Sequence, residues 1–150
     1  MGPVSVPTSL VLDTDCLVYY LDQPDTARGR WLEEQVFRPA VGGRLDLALS
    51  TVALAELLVR PYADGQPRRA VALRRALETL PGLTVVPLTA DIAAVAAQFR
   101  AMSGLPLPDA VIAATARQGS ATLLTNDSRL TAADLPVAML LLDEAINAAS

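Results

Sequence analysis

The chain contains no histidine and no lysine, one cysteine, Cys16, and an aromatic content of only 4%. Each shortage narrows what the protein does. A hydrolytic site must be built here from carboxylates and hydroxyls, most naturally around a hard cation. A lone cysteine forms no internal disulfide, which fits a reducing cytosol and reads as a small buried apolar residue. Scarce aromatics leave few platforms for stacking bases: Trp31, Tyr19, Tyr20 and Tyr62 are the candidates, and each also reads as packing. No apolar run approaches the roughly 18 residues of a membrane-spanning helix, so a soluble, cytoplasmic protein is expected. The opening MGPVSVPTS lacks the basic and apolar parts of a signal peptide and suggests a short flexible leader over residues 1–8.

What is present is ample for one domain, since 150 residues at 52% hydrophobic content can bury a sizeable core. The 12 basic residues are all arginine and the acids number 16, giving a net charge of −4. That balance is the opposite of a protein that holds nucleic acid by charge alone. Arg68, Arg69, Arg74 and Arg75 nevertheless cluster in one segment. On a helix 68 and 75 share a face while 69 and 74 diverge, so the cluster reads as a solvated surface or as a rim for phosphates.

Hydrophobic periodicity predicts strands at SLVLD, LDLALS, TVVPL, ATLLT and VAMLLL. Between them lie helical patterns: DCLVYYLD, then PDTARGRWLEEQVFR between Pro24 and Pro39, then STVALAELLV, which is apolar nearly all round and reads as buried. A loop at PYADGQ precedes a helix from Pro67 to about Leu80, stopped by Pro81 and Gly82. TADIAAVAAQFRAM starts on Thr89 and ends at Ser103 and Gly104; PDAVIAATARQ stops at Gly119; a short helix closes the chain. Strands separated by helices imply right-handed crossovers, a mainly parallel sheet of four to five strands, and a three-layer α/β/α sandwich.

Four acids stand where hydrophobic elements meet polar breaks: Asp13, Glu56, Asp109 and Asp127. Each has an ordinary explanation. Asp13 suits a helix cap, Asp109 complements a helix dipole behind Pro108, and Asp127 suits an Asx turn. Glu56 is harder to dismiss, because Leu54, Ala55, Leu57, Leu58 and Val59 leave it little expected water, and an unpaired buried carboxylate costs several kcal/mol. Asp13 and Asp127 both follow strands, and in parallel sheets the carboxyl ends of strands line the binding crevice. Converging carboxylates repel by about 4 kcal/mol per pair at 4 Å and an effective dielectric near 20, and a divalent cation reverses that sign. Oxygen-only ligation favours Mg²⁺ or Mn²⁺, with waters and substrate phosphates completing the shell.

These segments resemble a PIN domain, and more narrowly a toxin ribonuclease of the VapC type, over nearly the whole chain. VLDT at Val11 to Thr14 is similar to the family's opening strand, placing its first acid on Asp13. LALSTVALAELL maps its glutamate to Glu56, LPDAVIAATARQG its third acid to Asp109, and LLTND its fourth to Asp127 with the hydroxyl Thr125. The resemblance implies Mg²⁺- or Mn²⁺-dependent hydrolysis of RNA, with Asp13 and Asp109 central among the metal ligands and Glu56 and Asp127 completing the cluster. Thr14, Asp15 and Thr125 then stand behind the acids to orient water or carboxylate. It also implies the toxin role in a type II toxin–antitoxin pair, a cognate antitoxin over the acidic pocket, and a homodimer.

Two other readings stay open. D-T-D also resembles the start of haloacid-dehalogenase-like phosphotransferases, with Ser50 or Thr51 contacting phosphate, but that chemistry normally uses a lysine and the chain has none. The other is a catalytically idle binding module whose acids hold a structural ion or pair with a partner's arginines.

Overall fold

The computed structural model describes residues 6–150, so residues 1–5 of the expected leader lie outside the described residues. Val6 already packs on the core, and the Thr8 carbonyl accepts the Asp46 N–H at 2.9 Å.

Five strands form one parallel sheet: β1 (Ser9–Leu12), β2 (Asp46–Ser50), β3 (Leu83–Val86), β4 (Thr122–Thr125) and β5 (Met139–Leu141), in the order β3-β2-β1-β4-β5. β1 is central, and its Leu10, Val11 and Leu12 are all buried. A strand covered on both faces reads as a continuous apolar run instead of an alternation, which is how SLVL reads. The chain builds outward from β1 through β2 to β3, then crosses back to lay β4 on the other side of β1. The order therefore reverses between β1 and β4, and sheets of this kind carry their binding crevice beyond the carboxyl ends of the strands at such a point.

Helices flank the sheet. α1 (Thr14–Asp22) follows β1 directly. The segment between Pro24 and Pro39 forms α2 (Ala27–Leu32), a π-helical turn (Glu33–Phe37) and α3 (Arg38–Val41) in place of one uniform helix. Pro39 explains the widening, since it has no N–H for the carbonyl four residues back and its ring crowds that turn. α4 (Thr51–Ala63) runs through Pro61, so the expected loop starts only at Asp64; Pro61 is buried, and that burial offsets the missing bond.

α4 also corrects the expectation of a helix buried all round. Ala53, Leu54, Leu57 and Pro61 face inward, whereas Ala55, Glu56, Val59, Arg60 and Tyr62 are exposed. After α5 (Pro67–Thr79), Gly82 takes φ +82°, and a Cβ there would lie 2.3 Å from the Ala40 carbonyl oxygen, so glycine is required. α6 (Ala90–Ser103) is capped by Thr89 and ends on left-handed Gly104. α7 (Leu107–Gln118) buries every residue from Ala110 to Ala116. Its small side chains let it lie close to its neighbours while it carries Asp109 to the crevice. A short α8 (Ser128–Ala132) follows β4, and α9 (Leu142–Ala148) follows β5.

Candidate active site

Asp13 stands at the reversal of strand order. Its N–H donates to the Leu124 carbonyl at 2.9 Å, extending the β1–β4 ladder by one residue. Its side chain is both a cap and more than a cap: Oδ1 accepts the Thr14 N–H at 2.8 Å, and Oδ2 accepts Thr125 Oγ1 at 2.7 Å. Only 6% of the residue is exposed. Burial first, then the charge of Asp15, pushes its carboxyl up to about 7, against the pull of those two hydrogen bonds.

Asp15 occupies the first turn of α1. Its Oδ2 accepts the Asn126 N–H at 3.0 Å, while its Oδ1 is buried without a hydrogen-bond partner. Burial raises its pKa as well. Thr14 Oγ1 donates to Glu56 Oε1 at 2.9 Å, which ties α1 to α4. Glu56 itself is exposed, so the expectation that apolar neighbours exclude water from it is corrected: those neighbours occupy the inner stripe and it occupies the outer one.

Asp109 lies in the first turn of α7 and is half-buried; burial raises its pKa, opposed by Arg129 and reinforced by the charges of Asp127, Glu56 and Asp15. Asp127 caps α8 through the Arg129 N–H at 2.9 Å. Arg129 Nη2 reaches Asp127 Oδ2 at 2.7 Å and Asp109 Oδ2 at 3.7 Å, and this guanidinium holds Asp127 below the usual carboxylate range. Charge thus couples Asp13 to Asp15 and Asp109, Asp15 to Asp127, and Asp109 to Asp15, Asp127 and Glu56, with Asp109 the member that Glu56 reaches.

The arginine cluster is not gathered with them. Of Arg68, Arg69, Arg74 and Arg75, only Arg69 lines the groove of about 630 Å³ that starts at Thr14 and Glu56 and passes Arg60 and Leu73. Arg74 pairs with Glu78 at 2.8 Å on the surface of α5. Among the stacking candidates, Tyr20 stacks on Phe37, Tyr19 lies under Arg28, and Trp31 packs against the core. Tyr62 is exposed.

Two features escaped the sequence. Arg129 sits two residues after Asp127, the position whose N–H an Asx cap recruits, and that spacing was the available signal. Asp143 on α9 gave none. It accepts Arg28 Nε and Nη2 at 2.8 and 2.7 Å and Asn126 Nδ2 at 3.3 Å, and its N–H donates to Asn126 Oδ1 at 3.0 Å.

The donor set fits a hard divalent cation: it offers only oxygens, one of them buried and unpartnered on Asp15, and burial and neighbouring carboxylates raise Asp13 and Asp109. Among the described residues no group of three or more His, Cys, Asp or Glu side chains is arranged to hold an ion in this conformation, in which Arg129 bridges Asp109 and Asp127.

A doubly flanked parallel sheet with an acidic crevice at its strand-order reversal defines an α/β protein built to act on a ligand at that edge. The PIN domain family model matches residues 10–135, and the chain belongs to the PIN domain family, whose toxin members are generally nucleases. FitAcB from Neisseria gonorrhoeae is 28% identical with a TM-score of 0.67, over 89% of this chain and 97% of that one. A toxin–antitoxin complex from Klebsiella pneumoniae gives 23%, 0.67, 89% and 97% by the same measures. VapC20 from Mycobacterium tuberculosis, a sarcin-ricin loop cleaving toxin, gives 17%, 0.64, 84% and 95%. No curated protein sequence matches the chain. No helix among the described residues is long and apolar enough to cross a membrane.

Proposed function

We propose that the chain is a Mg²⁺- or Mn²⁺-dependent endoribonuclease of the VapC type, the cytoplasmic toxin of a type II toxin–antitoxin pair. The observation that carries this is the placement of Asp13: buried at the reversal of strand order, bonded to Thr125, and within electrostatic reach of Asp15 and Asp109. Asp13, Glu56, Asp109 and Asp127 are the proposed cation ligands. When bound, the cation supplies a water of lowered pKa and charge to set against the scissile phosphate.

The chain's own residues do the rest. Thr125 fixes the rotamer of Asp13, Thr14 aims Glu56, and Asn126 holds Asp15 from behind. Backbone phosphates of RNA meet Arg60 and Arg69 along the groove that leaves the pocket. The pocket's preference for a guanidinium, visible in Arg129, supports an antitoxin that covers it with an arginine of its own. Val59 and Tyr62, 62% and 54% exposed on α4, support a second copy of the chain as a further partner.

One observation favours the idle binding module: Arg129 already pairs with Asp109 and Asp127 without an ion. Cleavage separates the two. Incubating the purified chain with RNA and Mg²⁺ or Mn²⁺ is expected to yield products that vanish with chelator and in both Asp13→Asn and Asp109→Asn. Products that persist in both variants overturn the site, and a silent wild-type chain with either ion favours the binding module.

A further inference from the structure

We infer that Arg129 is the resident counter-charge of the acidic pocket and competes with the divalent cation for Asp109 and Asp127. The inference rests on the nuclease reading above and concerns this chain's own control of it.

The geometry is that of a ligand, not of an incidental surface pair. Arg129 Nε lies 3.1 and 3.2 Å from the two oxygens of Asp127, and Nη2 lies 2.7 Å from Oδ2, so the guanidinium faces the whole carboxylate. The same Nη2 extends to Asp109 Oδ2 at 3.7 Å. One cation thereby spans two acids from different elements, the first turn of α7 and the cap of α8. These are two of the four proposed ion ligands, and a carboxylate oxygen that accepts a guanidinium offers fewer lone pairs to a metal.

Position makes the competition reversible. The Arg129 side chain is 67% exposed, against 19% for Asp109 and 24% for Asp127, so the arginine leaves toward solvent while the acids stay in place. Exposed pairs are worth little each, so this contact is a weak brake and not a lock. Arg74 has a similar exposure, 63%, and pairs on α5 with Glu78 alone, which makes it a matched control for the loss of one positive charge. Both variants lose the same net charge, but only the Arg129 variant loses a charge in contact with Asp109 and Asp127, since screening weakens a distant one.

The test is Mn²⁺ binding by the full chain, read from the loss of the free-ion electron paramagnetic resonance signal, with no RNA present. Arg129→Gln is expected to bind Mn²⁺ about fivefold more tightly than wild type, the ratio a pair at the upper end of the exposed range gives. Arg129→Lys is expected to fall near wild type, and Arg74→Gln to match it. Thermal unfolding confirms that each variant is folded, and Arg129→Ala stands in if Arg129→Gln is not. Equal or weaker binding by a folded Arg129→Gln, or the same gain in Arg74→Gln, overturns the inference and leaves the nuclease reading intact. Absence of Mn²⁺ binding in wild type and variants alike overturns both.

Discussion

Thr125 Oγ1 donates a 2.7 Å hydrogen bond to Asp13 Oδ2 across 112 residues of sequence, and it accepts the Asp127 N–H at 3.0 Å. One hydroxyl thus joins the ends of β1 and β4 to the turn that carries the fourth acid. Thr125→Val keeps the shape and removes both partners. It is expected to cost about 1–3 kcal/mol, since a buried carboxylate oxygen and a backbone N–H lose their bonds. Because the hydroxyl lowers the Asp13 pKa, its loss shifts the acid limb of the cleavage profile to higher pH. Thr125→Ser restores both. A Thr125→Val profile that overlays wild type removes Thr125 from the site.

Asp13 itself makes stability depend on pH in the direction opposite to a salt-bridged carboxylate. Its folded pKa of about 7 lies above the unfolded value of 3.8. The folded state therefore binds the extra proton, and the stability this group contributes is full below about pH 4 and lost as pH rises through 7. In chelator, Asp13→Asn is expected to gain on wild type between pH 5 and pH 8, by at most about 2.6 kcal/mol, because the amide never ionises. Urea unfolding at the two pH values measures it. A difference between the two proteins that is the same at both pH values contradicts the assignment.

How much of this was legible in the sequence depended on the range of the signal. The strands and most helix ends were local: apolar β-branched runs, Thr89 as a cap and Gly104 as a stop all lie where the residues indicate. The positions of Asp13 and Asp127 at one edge also followed from their places just after strands of a parallel sheet. The environment of Glu56 did not, because composition around a residue does not say which side of the helix meets the core. Pro61 inside α4 and the π-turn before Pro39 escaped for a related reason, since packing decides whether a helix passes a proline. Arg129 and Asp143 act through contacts that form only once β4, α8 and α9 are placed.

Glu56 separates function from stability. It is exposed and makes one side-chain bond, to Thr14, so Glu56→Gln is expected to change unfolding free energy by no more than about 0.5 kcal/mol. Its neighbour Leu57 is buried, and Leu57→Ala is expected to cost about 2–5 kcal/mol. Cleavage assays should show the reverse order, with Glu56→Gln impaired and Leu57→Ala active below its melting temperature. Full activity in Glu56→Gln removes the residue from the ligand set.

The network behind the site predicts coupling between residues that never touch substrate. Arg28, held over the Tyr19 ring at 4.6 Å, pairs with Asp143; Asp143 fixes Asn126 through two bonds; and the Asn126 N–H holds Asp15 Oδ2. With side chains 37% and 45% exposed, the ion pair is worth about 1 kcal/mol, so its role is mainly to position the Asn126 turn. Asp143→Ala and Arg28→Gln are each expected to lower cleavage about tenfold, as loss of groups that support metal ligands commonly does. Because both act by releasing Asn126, the double variant should lose no more than the worse single one, a non-additivity that a double-mutant cycle reads directly. Losses that multiply would mean that Arg28 and Asp143 reach the site by separate routes.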